Sequence, residues 1–139
     1  MRKLITLAVF LLLSGCVSSE ATRVCFGKVY VKSEVADSQE KRRQGLMFRE
    51  SLCPDCGMLF VFPRQERYAF WMKNMRFPLD FIWIGEDKKV SAIITDVPPC
   101  SGDYCPTVAS GEKVKYVLEV NAGFAAKHNI KVSDKVKFK

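Results

Sequence analysis

Apolar and polar residues alternate along much of this chain with the two-residue period of β-strands that bury one face. Two runs, at residues 57–62 and 80–84, are almost entirely apolar, which is typical of strands that are buried on both faces. Pro63 is expected to end the first of these runs. The pattern predicts strands at residues 24–35 (one or two strands), 57–62, 70–75, 80–84, 90–97, 116–120 and 132–138.

Two short helices are expected between the strands. Asp37 and Glu40 have the spacing of a capping box, in which Asp37 caps the first helix and Glu40 reaches back. Gly45 is expected to end this helix, and a second short helix is expected at residues 121–129. The succession of strands predicts an α+β, β-rich fold, a single compact barrel- or sandwich-like domain of mostly antiparallel strands with two short helices.

The N-terminus has the features of a lipoprotein leader. Two basic residues precede an apolar block at residues 4–13, and the sequence Leu-Ser-Gly-Cys ends at Cys16. A membrane span needs about 20 apolar residues, so this shorter block is typical of a signal-peptide core instead. We therefore expect a signal peptide at residues 1–15, a lipidated Cys16 with a linker at residues 16–23, and a globular domain at residues 24–139. The lipid would anchor the protein in the membrane of a prokaryotic cell envelope, facing away from the cytoplasm.

The composition predicts a folded core and a moderately positive net charge. Of 139 residues, 48% are hydrophobic, which is enough for one packed domain and excludes a disordered chain. The formal net charge is +7, and two of these charges lie in the expected leader. A charge of this size favours anionic lipid surfaces or acidic partners, and it does not by itself predict nucleic-acid binding.

Four cysteines lie in two local pairs. Cys53 and Cys56 form a C-P-D-C motif, Cys100 and Cys105 form C-S-G-D-Y-C, and Cys25 stands alone. Thiols oxidise outside the cytoplasm, which favours disulfides, either within each pair or across the two pairs. A zinc site with four thiolate ligands is the alternative, because paired cysteine motifs suit tetrahedral zinc.

Five short motifs carry a family resemblance. They are Arg43 with G-L-M at residues 45–47, G-M-L-F-V-F at 57–62, F-W-M-K-N at 70–74, F-P-L-D at 77–80 and V-L-E-V-N-A-G at 117–123. Together they resemble the uncharacterised family called domain of unknown function 192, or uncharacterised protein family 0127. The resemblance implies a compact β-rich fold and no established activity. It also implies that Ser133 replaces a usual glycine, and that the pair Cys100 and Cys105 is shared with many bacterial members.

The most aromatic segment of the chain, residues 68–84, also contains charged residues, and it holds most of the candidate site. Strand alternation places Trp71 and Lys73 on one face of the strand at residues 70–75, opposite Phe70 and Met72. A face that carries a lysine is expected to border solvent or a cleft, and apolar walls with a few polar groups are typical of ligand sites. The candidate ligand-binding residues are Arg43, Trp71, Lys73 and Asn74.

The carboxylates near these residues are expected to stabilise the fold. We expect Asp80 to pair with Lys73 or Arg43, because a carboxylate that leads into a buried strand needs a partner. Other scattered carboxylates, Glu119 among them, are expected to pair with Arg43, Lys73 or Arg76.

Three functional hypotheses remain from the sequence. The favoured one is a lipid-anchored binding or interaction module with an aromatic and basic cleft, without a cofactor, for a small ligand or an envelope protein. A soft-metal protein is the first alternative, using the four paired cysteines or the thioethers of Met72 and Met75. An envelope hydrolase is the second, and no convincing nucleophile–base pair supports it. The single histidine, His128, is expected to be a solvated residue at a helix end.

Overall fold

The computed structural model describes residues 21–139, and the expected signal peptide and Cys16 lie outside these described residues. Within residues 21–139, nine strands and two helices follow one another. They are β1 (Ala21–Phe26), β2 (Val29–Ala36), α1 (Gln39–Gln44), β3 (Cys56–Glu66), β4 (Phe70–Trp71), β5 (Leu79–Ile84), β6 (Val90–Val97), β7 (Thr107–Val108), β8 (Val114–Asn121), α2 (Phe124–Lys127) and β9 (Val136–Phe138). No helix within this range is long and apolar enough to cross a membrane.

Seven strands form one curled sheet in the order β6-β5-β8-β3-β2-β1-β9, and β4 and β7 form a separate pair. All neighbours are antiparallel except β2 and β3. The sheet curls into a half-barrel, and its two edges meet at one end, where Val90 N donates to Asp134 O at 3.0 Å. The predicted fold, a single β-rich domain of mostly antiparallel strands, is confirmed.

The central strands are buried on both faces. All six residues of β5 are buried. On the inner face, Ile82 and Ile84 pack with residues of β8 and α2. On the outer face, Phe81 and Trp83 pack under two segments that are mostly irregular, residues 45–49 and 70–77, which we call the covering segments. The second of them begins with β4. Because this second face is apolar, the covering segments must stay packed against it to exclude water.

Asp80 is the one charged residue among the buried residues of β5, and its partners differ from the expected ones. It is fully buried, and its carboxylate accepts hydrogen bonds from Asp96 N at 2.9 Å and Ala125 N at 3.0 Å. The predicted pairing with Lys73 or Arg43 is wrong, since backbone donors from β6 and α2 satisfy the carboxylate instead. One side chain thereby ties together three parts of the chain that are distant in sequence.

The first helix begins and ends close to the predicted positions, but a different residue caps it. Ser38, rather than Asp37, is the N-cap, and its side chain accepts from Lys41 N at 3.2 Å. Asp37 forms an exposed ion pair with Lys41 instead. Gly45 ends the helix as predicted, at a φ of 50°. A side chain there would be strained, and its Cβ would lie 3.3 Å from a ring carbon of Phe60.

Several strand ends differ from the expected ones for local reasons. β3 continues through Pro63, because its pairing with β8 shifts register between Val61 and Glu66 and leaves no ladder donor to lose there. β4 ends at Trp71 and β9 begins only at Val136. β1 begins at residue 21, within the expected linker.

The position of Ser133 explains the glycine that the family resemblance implies there. Ser133 has a φ of 76°, in the left-handed region that glycine occupies without strain. Its N–H donates to Val90 O at 2.8 Å, at the place where the two sheet edges meet. The substitution therefore affects a turn that closes the half-barrel.

We expect Asp80→Ala to lower the free energy of unfolding by about 3 kcal/mol, because the buried N–H of Ala125 and the part-buried N–H of Asp96 would lose their acceptor. Lys73→Ala serves as the control, with an expected change within about 0.5 kcal/mol. Urea unfolding of both variants measures the difference. Equal destabilisation by the two substitutions would show that Asp80 has no special structural role.

Candidate functional site

A shallow cleft lies where α1 and the first covering segment meet β3 and β4. Its volume is about 320 Å³. Aromatic rings form its walls and two arginines border it. Its lining residues are Arg42, Arg43, Phe60, Phe62, Tyr68, Ala69, Phe70 and Trp71, which we call the aromatic-basic cleft.

Arg42 and two stacked rings make one side of the aromatic-basic cleft rigid. The Arg42 guanidinium donates to Val61 O at 2.8 Å and to Asp37 O at 2.6 Å, and it lies 5.4 Å from the centre of the Phe62 ring. The Tyr68 ring stacks on the Phe62 ring, with centroids 3.6 Å apart, and the Tyr68 hydroxyl donates to the carbonyl oxygen of Arg64. These contacts hold Arg42 in a structural position, so its charge is only partly free for a ligand.

Arg43 and Trp71 are the two cleft residues without such constraints. Arg43 is exposed and forms no ion pair with any residue in the described range. The Trp71 side chain is 51% exposed, although most tryptophans bury more of their surface. Lys73 Nζ lies 5.6 Å from the Trp71 ring centre, a cation–π distance, although Lys73 itself lies beyond the end of β4.

The four predicted ligand-binding residues are divided between the aromatic-basic cleft and a second groove. Lys73 and Asn74 line it together with Phe48 and the loop at residues 100–103, whereas Arg43 and Trp71 line the aromatic-basic cleft. Asn74 has a φ of 60°, and its carbonyl accepts from Phe48 N at 2.8 Å. Asparagine tolerates this left-handed conformation better than most residues, so Asn74 has a clear structural role in a turn. The structure therefore brings together two pairs of these residues and not all four at one cleft.

Beneath the aromatic-basic cleft lies a narrow pocket with a volume of about 30 Å³ for water-sized spheres, which we call the inner pocket. It shares Arg42, Arg43, Phe60, Phe70 and Trp71 with the cleft. Its other lining residues are Gln44, Gly45, Leu46, Met47, Met72, Met75, Leu79 and Glu119. Three thioethers and one carboxyl group thus border a space large enough for a single water molecule or ion.

Glu119 is the residue of this site that sequence reasoning did not identify. It lies in β8 between Met58 of β3 and Phe81 of β5, and its residue surface is only 5% exposed. No residue in the range 21–139 forms an ion pair or hydrogen bond with its carboxyl group, so the expected pairing with Arg43, Lys73 or Arg76 is wrong. Burial raises the pKa of Glu119 from 4.5 to about 8. A carboxyl group inside an otherwise apolar strand was the sequence signal that could have indicated it.

The paired cysteines form two local disulfides, Cys53–Cys56 and Cys100–Cys105, and Cys25 is free. The prediction of pairing within each motif is confirmed. All four sulfurs of the zinc alternative are therefore engaged in disulfides. In residues 21–139, no group of three or more His, Cys, Asp or Glu side chains is arranged to hold a metal.

The second disulfide also supports the candidate site. Cys100 N donates to Met72 O at 3.1 Å, and Lys73 and Cys100 form a bridge between parallel segments. This contact attaches the Cys100–Cys105 loop to the covering segment that carries Trp71 and Met72.

His128 lies away from the cleft. It ends α2, its ring centre is 4.3 Å from that of Phe124, and Phe124 packs on the inner face of the sheet. The ring is half-buried and its buried Nε2 atom has no hydrogen-bond partner among residues 21–139, so the expectation of a solvated side chain is wrong.

The fold and site define a small half-barrel domain with one sheet face covered by irregular chain and an aromatic-basic cleft above a buried carboxyl group. The chain belongs to the family domain of unknown function 192: the family model, described as "Uncharacterized ACR, COG1430", matches residues 22–138. The family resemblance seen in the motifs is thus confirmed. Among curated proteins, no sequence matches this chain.

Two solved structures are similar to this chain. One is a protein of Sinorhizobium meliloti 1021 that was provisionally named a transcription regulator, with 32% identity and a TM-score of 0.76. The match covers 85% of this chain and 92% of that one. The other is a protein of unknown function from Novosphingobium aromaticivorans DSM 12444, also with 32% identity and a TM-score of 0.76, covering 84% of this chain and 83% of that one.

The raised pKa of Glu119 makes a prediction about stability. Between its ordinary pKa of 4.5 and its folded value of about 8, the folded protein keeps a proton that the unfolded chain has lost. Folding stability should therefore fall as the pH rises through this window, by roughly 1.4 kcal/mol per pH unit, and this loss should stop above the folded pKa.

Glu119→Gln removes the titrating group and keeps the shape of the side chain, so this contribution should disappear in the variant. Urea unfolding of both proteins from pH 5 to pH 8 measures the difference. Parallel stability curves for the two proteins would contradict the assignment.

Proposed function

We propose that this protein is a lipid-anchored binding module of the cell envelope, and that the aromatic-basic cleft is its ligand site. The ligand class is one that combines a flat apolar face with an anionic group. Trp71 and the neighbouring rings would cover the apolar face, and Arg43 would bind the anion.

The observation that carries this proposal is the exposure of Trp71 beside Arg43, which has no ion-pair partner in residues 21–139. Leaving half of a tryptophan in water forgoes a large hydrophobic stabilisation, and such residues are enriched where a partner covers them. No side chain of the described range engages the Arg43 guanidinium, and a guanidinium can bind a carboxylate or phosphate through two hydrogen bonds. The clamped Arg42 and the Phe62–Tyr68 stack would fix the shape of the cleft before binding, which lowers the entropic cost of association.

The location of His128 favours binding over hydrolysis. The chain contains one histidine, and its ring packs on the sheet face opposite the aromatic-basic cleft. The aromatic-basic cleft itself offers rings and cations, and Glu119 lies below it in the narrow inner pocket. These groups suit recognition of a ligand.

The lipid anchor rests on Cys16 and the apolar block before it, and two disulfides support an oxidising environment outside the cytoplasm. In a bacterial host, Cys16→Ser should move the protein from the membrane fraction to the soluble fraction or leave its leader uncleaved. The mass of the processed protein, with and without the lipid, provides the check. A variant that fractionates and migrates like the parent protein would refute the anchor.

The cleft is tested with small aromatic carboxylates, such as naphthoate, added to the ¹⁵N-labelled protein. The amide resonances of residues 42–45 and 68–72 should shift in a saturable manner. Trp71→Ala and Arg43→Gln should each weaken this binding about tenfold, the effect of losing one well-placed contact of about 1.4 kcal/mol.

A matched pair of residues outside the cleft provides the control. Arg23 lies 5.5 Å from the centre of the exposed Tyr30 ring, so this pair repeats the chemistry of a cation beside an aromatic ring on another surface. Tyr30→Ala and Arg23→Gln should leave the binding unchanged. Shifts scattered over the whole surface, or equal losses in cleft and control variants, would overturn the proposal.

A further inference from the structure

The inner pocket brings together side chains that the aromatic-basic cleft does not use. Met47 comes from the first covering segment, Met72 and Met75 come from the second, and Glu119 comes from the sheet below. Met72 and Met75 are 3% and 9% exposed, and Glu119 is 5% exposed. Three methionines and one carboxyl group that has no partner in residues 21–139 therefore line the same small space.

Backbone hydrogen bonds hold the three methionines in place around this space. Met75 N donates to Met72 O at 3.3 Å, which closes a short turn with both side chains on its buried side. Phe48 N donates to Asn74 O at 2.8 Å, which fixes the segment of Met47 against the same turn. The arrangement therefore depends on the folded backbone more than on chance packing of flexible side chains.

We propose that the inner pocket binds one soft monovalent metal ion of the Cu(I) class through the thioether sulfurs of Met47, Met72 and Met75, with the Glu119 carboxylate completing the site. Thioethers are soft ligands that select Cu(I) over hard cations such as Mg²⁺ and Ca²⁺. A single carboxylate balances the charge of one monovalent cation, so the buried pair would be neutral. The volume of about 30 Å³ admits one ion.

The metal also accounts for a feature of Glu119 that packing does not explain. A buried carboxyl group without a hydrogen-bond partner is costly even when it is protonated, and no residue in the range 21–139 bonds to this one. A leucine at this place would avoid that cost. The proposed site does not rest on the binding of a ligand in the aromatic-basic cleft, since none of its four ligating side chains is needed for that binding.

Ordinary packing is the competing explanation, because methionine fills irregular spaces in protein cores. Met58 allows the two explanations to be separated. It is 6% exposed and belongs to the same hydrophobic cluster, but it lines a different cavity from the inner pocket. A packing role would be shared by Met58, whereas a ligand role would not.

The test uses silver(I), a redox-stable substitute for Cu(I), and Cu(I) itself in the presence of ascorbate. The protein is the full chain carrying Cys16→Ser and Cys25→Ser, so that no free thiol competes for the metal. Native mass spectrometry and calorimetry should both detect one silver ion or one Cu(I) ion per chain. X-ray absorption of the Cu(I) complex should show sulfur neighbours together with an oxygen neighbour.

Four single variants in this background identify the ligands. Met72→Leu, Met75→Leu and Glu119→Gln should each weaken silver binding at least about tenfold, as expected for loss of a metal ligand. Met58→Leu should bind silver as the parent does. Leucine has nearly the volume of methionine, so these variants should remain folded, and near-ultraviolet circular dichroism checks this.

Two results would overturn the metal site. One is the absence of stoichiometric silver binding in the thiol-free parent. The other is binding that Met72→Leu and Met75→Leu leave as strong as Met58→Leu does. In both cases the naphthoate experiment still decides the role of the aromatic-basic cleft, so the failure of one proposal is distinguishable from the failure of the other.

Discussion

Burial of the central strands on both faces is the constraint on which the rest of this structure depends. Curling of the sheet and the packing of α2 cover one face, where Ile82 and Ile84 lie. The other face carries Phe81 and Trp83 and needs a separate cover. Two irregular segments provide it, and they can do so because Gly45 and Asn74 adopt left-handed conformations that let the chain turn tightly against the sheet.

The covering segments leave two gaps above the sheet, and the candidate sites lie at these gaps. The gap between the covering segments and β8 is the inner pocket, with Glu119 at its base. The outer margin of the same cover is the aromatic-basic cleft, where Trp71 remains half-exposed. The Cys100–Cys105 disulfide supports this layer, because the Cys100 backbone is hydrogen-bonded to Met72. This protein therefore covers one apolar face of its sheet with mostly irregular chain.

Sequence patterns predicted those structural features that depend on residues close together in the chain. Glycine at position 45 correctly ended α1. Disulfides, one of the alternatives that the cysteine motifs left open, are present within each pair. Trp71 and Lys73 lie close together as alternation predicted, although the strand ends at Trp71. Contacts between distant segments were not predictable in the same way. Asp80 is satisfied by backbone groups 16 and 45 residues away, and backbone donors leave no trace in the sequence. The burial of Glu119 could not be predicted either, because it depends on segments from elsewhere in the chain that cover this residue. In the sequence it resembles the other scattered carboxylates.

The central claim is that the covering segments bury the carboxyl group of Glu119, for which residues 21–139 supply no charged partner. The most direct measurement is the pH titration of its side-chain carbonyl resonance by ¹³C nuclear magnetic resonance in the metal-free protein, assigned by comparison with Glu119→Gln. The account predicts a midpoint near pH 8, because burial raises the pKa of Glu119 to about 8. A midpoint close to 4.5, the ordinary value for a glutamate in water, would contradict it.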